Sequence, residues 1–293
     1  MRRAYFKFSW IAAALLAPQL LIIFVFFYWP SAQALYWAFT LEQPWGGGNT
    51  WVGFDNFEKI LSDPYYWGSV RVSVIYALAT TVLAMTMALT LAVFVDRQLA
   101  GYRAYRVAII WPYAVAAPAV GLAFQFVFNP GAGIFSYINA VAPGWWDLSQ
   151  NGWQAVVAII VAGAWKQVAY SFVFFLAALQ SIPRSLTEAA AMDGARPLRR
   201  MIDLQLPLLT PTFFFLLVIN ITDSFTDSFG IVDTLTGGGP FRSTDLMVYK
   251  IYTDGFRSLD YSGAAAQSII LMLLVMALTF VQFRYVERRV HYT

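Results

Sequence analysis

The sequence predicts an all-α membrane protein of six transmembrane helices, and three observations carry that prediction. The first is composition: of 293 residues, 59% are hydrophobic, 18% aromatic and only 12% charged, with a mean hydropathy of +0.60, more apolar surface than a soluble core would need. The second is length. Six mostly apolar runs, near 11–29, 70–95, 107–128, 156–179, 206–226 and 264–283, each supply the roughly 20 residues that cross about 30 Å of hydrocarbon. The third is an asymmetry of lysine and arginine in the connections, which assigns the two faces of the membrane.

The first run follows Arg2, Arg3 and Lys7, and Ala32-Gln33-Ala34 fits the small-x-small pattern of signal cleavage. A cleaved signal has an apolar core of about 7–15 residues; this run is longer, so an uncleaved helix is expected. Prolines at 18, 112, 118, 207 and 211 predict kinked helices in a packed bundle, because neighbours must satisfy the carbonyls that proline frees.

Thirteen basic residues lie on one side of this arrangement: Arg2, Arg3 and Lys7; Arg97, Arg103 and Arg106; Arg184, Arg196, Arg199 and Arg200; Arg284, Arg288 and Arg289. The other side holds Lys59, Arg71, Arg242, Lys250 and Arg257, and Lys166 falls inside a span. Both termini and the 180–206 connection are therefore expected in the cytoplasm, with the chain as a single membrane domain over 1–293. The net charge of +3 then reflects topology and calls for no nucleic-acid partner. The outward connections carry Trp45, Trp51 and Phe54, and Trp145, Trp146 and Trp153; interfacial anchoring is the expected role of these tryptophans.

Cysteine is absent and the one histidine, His291, sits near the C-terminal end. Thiol chemistry, disulfides and multi-histidine metal sites are excluded, and no constellation for an intramembrane enzyme is left. The glycine cluster Gly237-Gly238-Gly239-Pro240-Phe241-Arg242-Ser243 lacks the lysine of a phosphate-cradling loop. It reads as a tight turn.

Between the fourth and fifth runs lies a polar, basic island, EAAAMDGARPLRRMIDLQLP from Glu188 to Pro207. Ser185-Leu186-Thr187-Glu188 fits a capping box, so a short helix is expected to start at Ser185. Ala189 and Ala190 give it a face of minimal bulk, Gly194 ends it, and Pro197 opens a second helix whose Leu198, Met201, Ile202 and Gln205 share a face. Read from these residues alone, the island is either a docking helix for a cytoplasmic partner or an amphipathic helix lying on anionic headgroups.

The pattern of Glu188-Ala189-Ala190, Gly194 and Leu204-Gln205-Leu206-Pro207 resembles the EAA loop of ATP-binding-cassette importer permeases, departing only in having Leu204 where isoleucine is usual. LTGGGP from Leu235, with Ser243-Thr244, Tyr249, Tyr252 and Phe256, is similar to the carbohydrate-uptake branch. LAPQL, WPYAVAAPAV, FNPGAGI, WKQVAYSF, AALQSIPRSLTEAA and QFRYVE resemble, more narrowly, first permease subunits of bacterial sn-glycerol-3-phosphate importers. The resemblance implies a type I importer permease fold and a non-catalytic inner-membrane subunit. It implies as partners a homologous second permease subunit, two cytoplasmic ATPase subunits that bind ATP and Mg, and a periplasmic solute-binding protein. It also implies that Ser185, Glu188, Ala189, Ala190, Gly194, Leu204 and Pro207 couple the permease to its motor. A permease for another sugar or polyol shares the same loop, and a secondary transporter is the remaining alternative, although no clear inverted repeat appears.

Ionisable residues inside spans are costly and face partners or wet cavities. Lys166 and Tyr170 on the fourth run, and Asn220, Asp223 and Asp227 on the fifth, are the candidate substrate pathway. Two readings of Lys166 stay open: attraction of a phosphate, or an internal ion pair with Asp223 or Asp227.

Overall fold

The computed structural model describes residues 10–42, 47–96 and 101–286. Arg2, Arg3, Lys7, Trp45, Arg97, Arg288, Arg289 and His291 lie outside the described residues. The chain divides into two compact units, one formed by residues 1–63 and 251–270, the other by 64–250 and 271–293.

In the first unit, helix α1 runs from Trp10 to Ala38, α-helical over Trp10–Ile23 and Trp29–Ala38 with a wider π-type turn at Phe24–Tyr28. It continues through residues 31–38, past the expected end at residue 29. Strands β1 (Thr40–Glu42) and β2 (Asn49–Trp51) pair antiparallel, Thr40 opposite Trp51, and α2 (Asp55–Leu61) follows. Phe39 organises this connection: Trp51 stacks on it at 5.7 Å and Phe54 meets it edge-on at 5.4 Å. The buried Asn56 amide donates to the carbonyls of Ala38 (2.9 Å) and Thr40 (3.0 Å), satisfying backbone groups that the helix end leaves open. The Glu42 amide donates to the Ser262 hydroxyl, and Lys59 pairs with Asp260.

In the second unit, α3 (Pro64–Asp96) has 33 residues, about 50 Å of helix against about 30 Å of hydrocarbon, so its ends project beyond the apolar layer. It packs along α7 (Gly152–Ser181) through small side chains: Ala77, Ala84, Ala88 and Ala92 are buried on α3, and Ala155, Ala158, Ala162 and Ala169 on α7. Hydrophobic burial gives no net drive between helices already in lipid, so close backbone approach and dispersion hold such a pair. Gly163 allows a close approach between them, since a Cβ there would overlap the Tyr76 hydroxyl.

The run expected as one kinked span over 107–128 is two helices, α4 (Tyr102–Ile110) and α5 (Ala117–Val127), whose extended forms Ala104–Ala114 and Ala117–Val127 meet at 109°. A 3-10 turn, Trp111–Ala114, leads to extended backbone at Val115 and Ala116 (ψ 127° and 142°). Pro112 and Pro118 each stand in the first turn of a new helical segment, the 3-10 turn and α5, where the missing amide costs nothing but an incoming helix cannot continue through it, so the run breaks and restarts. The break is braced by α11 (Phe229–Leu235): Gly121 and Gly230 allow contact that a Cβ would block, and the Thr234 hydroxyl donates to the Pro118 carbonyl at 3.0 Å.

The 128–151 connection is folded on itself around α6 (Phe135–Val141). Trp146 stacks on Phe135 at 4.4 Å and donates its indole N–H to the Phe128 carbonyl at 3.1 Å. Trp146 is thus half-buried and packed within this connection, whereas Trp145 and Trp153 are exposed. Asn151 caps α7 (Gly152–Ser181) by accepting from the amides of Trp153 and Gln154.

After α7 come α8 (Arg184–Met192) and α9 (Pro197–Leu208). The fifth expected run is bent near its start: α9 meets α10 (Thr210–Thr226) at 68°, placing Leu204, Leu206 and Pro207 on the helix before the bend. Helices α11 (Phe229–Leu235), α12 (Met247–Tyr252) and α13 (Tyr261–Val281) complete the chain. The glycine cluster between α11 and α12 is the expected turn. Gly237 and Gly238 have φ of +58° and +80°, the Gly237 amide donates to the Val232 carbonyl at 2.8 Å, and the Thr244 hydroxyl lies 2.8 Å from both the Thr236 hydroxyl and the Gly239 carbonyl. Among the described residues, four helices are long and apolar enough to cross a membrane, and up to six spans result if each bent pair counts as one.

Candidate functional site

Two places in the second unit gather the candidate residues. The first is the α8–α9 hairpin. The capping box expected at Ser185 is not formed: Pro183 occupies the N-cap position, no side chain caps the helix, and α8 already begins at Arg184. The Pro183 carbonyl accepts from the Leu186 amide at 3.1 Å, which closes the first turn and puts Ser185 inside the helix, where its hydroxyl cannot cap. Thr187 instead donates to the Arg184 carbonyl.

The other end of α8 is as expected. Asp193 is the C-cap and Gly194 follows at φ +76°; the Ala195 amide donates to the Ala190 carbonyl and the Gly194 amide to that of Ala191, both at 3.0 Å. These two bonds make a Schellman motif, which needs a residue in the left-handed region after the C-cap. Pro197 opens α9 as expected, and Arg200 Nη1 donates back to the Thr187 carbonyl at 3.3 Å, tying the two helices together.

A cavity of about 700 Å3 lies beside this hairpin, lined in part by Asp96, Arg184, Glu188 and Arg200. The expected apolar face of α9 is divided: Met201 and Gln205 line the cavity, whereas Leu198 and Ile202 are exposed. A π-type turn at Met201–Gln205 shifts the 3.6-residue spacing. Ala189 is exposed, and Leu186, Met192 and Leu198 present apolar surface around it.

The second place is a cavity of about 650 Å3 among α3, α7, α10 and the α4–α5 break. Lys166, Tyr170, Asn220, Asp223 and Asp227 all line it, so the structure brings together five residues that lie in two separate runs of the sequence. Lys166 Nζ stands 2.8 Å from Asp227 Oδ2, the lysine side chain 21% and the aspartate 67% exposed. The ion-pair alternative for Lys166 is therefore realised, with Asp227 as the partner. Asn220 is buried and its amide donates to Ser171 Oγ at 3.0 Å. Gln167 Nε2 lies 3.0 Å from Ser224 Oγ and 3.3 Å from the Asn220 carbonyl. These contacts form a polar seam between α7 and α10.

Interhelical hydrogen bonds of this kind are worth about 1 kcal/mol in membranes. Asn220→Leu should lower the thermal unfolding temperature of the assembled protein by a few degrees, and adding Ser171→Ala should recover much of the loss. An additive double variant would show that the two side chains are not coupled.

Tyr76, Tyr113 and Ser228 also line the cavity, and the sequence reading missed them. Tyr113 stacks on Tyr170 at 6.3 Å. Its place follows from the break at Val115 and Ala116, for which the paired prolines were the available signal.

Residues 81–292 match the family described as binding-protein-dependent transport system inner membrane component. The chain is 49% identical over 292 residues to the sn-glycerol-3-phosphate transport system permease protein UgpA of Rhizobium meliloti (strain 1021), covering all of both chains. It is 50% identical to the protein of the same name from Brucella abortus biovar 1 (strain 9-941), over 95% of each chain. Among solved structures, a chain of a bacterial ABC transporter involved in the import of the acidic polysaccharide alginate superposes with a TM-score of 0.83 at 20% identity, over 95% of this chain and 96% of that one. That likeness establishes the type I importer permease fold. With a family match over most of its length and relatives near half identity end to end, the chain belongs to the binding-protein-dependent transport system inner membrane components.

Proposed function

We propose that this chain is the first permease subunit of an importer that carries sn-glycerol-3-phosphate across the inner membrane. The observation that carries the substrate is the full-length identity of 45–50% to permeases named for it in several bacteria. A second, homologous permease subunit completes the membrane pore, two cytoplasmic ATPase subunits hydrolyse ATP, and a periplasmic binding protein delivers substrate. The basic residues of the 180–206 connection support a cytoplasmic position for the hairpin and for both termini.

Mechanistically, Ser185, Glu188, Ala189, Ala190 and Gly194 form the part of the chain that the motor grips, with Leu204 and Pro207 passing its movement to α10. Three features support this: the low bulk of Ala189 and Ala190, the rigid Schellman end and the Arg200 tie to Thr187. Closure of the motor would tilt α7 and α10 and turn the cavity at Lys166, Tyr170, Asn220, Asp223 and Asp227 from inward-facing to outward-facing.

Uptake of labelled sn-glycerol-3-phosphate by cells holding this importer as their sole route tests the substrate. Competition only by an unphosphorylated sugar or polyol would move the chain to another substrate. The absence of cysteine allows a separate test of the coupling role. A single Ala190→Cys is expected to cross-link to an ATPase subunit in native membranes in a nucleotide-dependent way. An inserted, reactive Cys at 190 that captures no partner would favour a lipid-lying helix and an ATPase-independent transporter.

A further inference from the structure

The cavity at Lys166 is poor in free positive charge and rich in unused hydrogen-bond acceptors. Its charged lining is one lysine against two aspartates, Lys166 against Asp223 and Asp227, and the lysine is already engaged at 2.8 Å by Asp227. Three polar groups in the wall have acceptor capacity to spare. Ser228, 2% exposed, has no partner for its hydroxyl. Gln167 spends its amide N–H on α10 and leaves Oε1 buried and unpaired. Asp223 contributes a carboxylate. Tyr113 and Tyr170, stacked together, form an amphipathic side of the same space.

A buried acceptor without a donor costs free energy until a ligand supplies one, and the carboxylate left over once Lys166 is paired with Asp227 repels a negatively charged phosphate. Both facts favour a neutral ligand that donates hydrogen bonds.

We infer that this cavity is a hydroxyl subsite: it receives the glycerol end of the substrate on Asp223, Ser228 and Gln167, and the phosphate is held outside this cavity. The inference rests on the glycerol-phosphate reading above. Lys166 is then a positioning residue that holds Asp227 and keeps the cavity from carrying two uncompensated carboxylates.

The test uses the complete importer in proteoliposomes with saturating wild-type binding protein. It compares uptake of sn-glycerol-3-phosphate with that of 3-hydroxypropyl phosphate, which keeps the phosphate but lacks the C2 hydroxyl. Because the binding protein is unchanged, a shift in the ratio of the two rates reports on the permease. Asp223→Asn and Ser228→Ala are each expected to lower the ratio by about threefold or more, since a site that has lost its polar partner no longer discriminates. The double variant Lys166→Met with Asp227→Asn, which removes the ion pair without changing net charge, should lower uptake of both substrates by the same factor and so leave the ratio unchanged.

A ratio lowered by the double variant as much as by Asp223→Asn, with normal assembly, would move the hydroxyl recognition to the Lys166–Asp227 pair and overturn the inference. So would a ratio unmoved by both Asp223→Asn and Ser228→Ala. A wild-type importer that moves neither phosphate ester but carries a different solute removes the glycerol-phosphate reading itself.

Discussion

Gly194→Val is expected to reduce uptake by more than about tenfold while leaving the protein inserted and assembled. A Cβ at this position meets no atom within 4 Å, so the effect is conformational. The φ of +76° costs an L-residue about 1–2 kcal/mol, and a β-branched side chain more. The two Schellman bonds at the end of α8 would open, and the helix that engages the motor would fray at its tip. Asparagine tolerates the left-handed region, so Gly194→Asn should retain most of the uptake. Basal ATP hydrolysis by the complex should continue in Gly194→Val without stimulation by loaded binding protein, the signature of lost coupling. Equal uptake by the valine and asparagine variants would separate coupling from the cap. Glu188→Lys, at the cavity beside the hairpin, belongs to the same class and should likewise stop uptake without stopping insertion.

Gly163→Leu should abolish the assembled protein altogether. Here the constraint is steric: a Cβ would overlap the Tyr76 hydroxyl, with Tyr76 Cζ at 3.1 Å and Thr80 Cγ2 at 3.2 Å on the facing helix α3. In a lipid-embedded bundle, separation of two helices forfeits dispersion contacts that nothing else replaces, and overpacking of this kind costs about 1–3 kcal/mol even for small additions. The measurement is the amount of protein recovered as a complex with its second permease subunit after detergent extraction. Gly163→Ala should lose part of that amount, and Tyr76→Phe in the same chain should restore some of it by removing the overlapping oxygen. No recovery from the hydroxyl deletion would place the strain on Thr80 instead.

The two predictions differ in how far the sequence could have carried them. Gly194 was legible as a helix end because the requirement is local: a glycine after a short helical run, followed by Ala-Arg-Pro, satisfies the C-cap rules within six residues. The constraint at Gly163 was not legible, because the atom it must avoid belongs to Tyr76, 87 positions away. Ser185 shows that even local rules compete. The capping-box spacing was present, but Pro183 two residues earlier had already fixed the backbone that starts the helix.

Composition, run length and charge asymmetry determined from sequence alone that this is a helical membrane protein with six apolar runs, and the EAA spacing placed the hairpin between the fourth and fifth of them. Those features depend on each residue's own transfer energy or on neighbours within one or two turns. Tertiary structure alone decided the rest. It selected Asp227 over Asp223 as the partner of Lys166, broke the third run at Val115 and Ala116, and drew Trp146 onto Phe135. It also left Ser228 and Gln167 Oε1 unpaired at the cavity. The physical reason is that a charge or hydrogen bond in a low-dielectric bundle is settled by which partner lies within about 3 Å, and that distance is set by the packing of helices far apart in the chain.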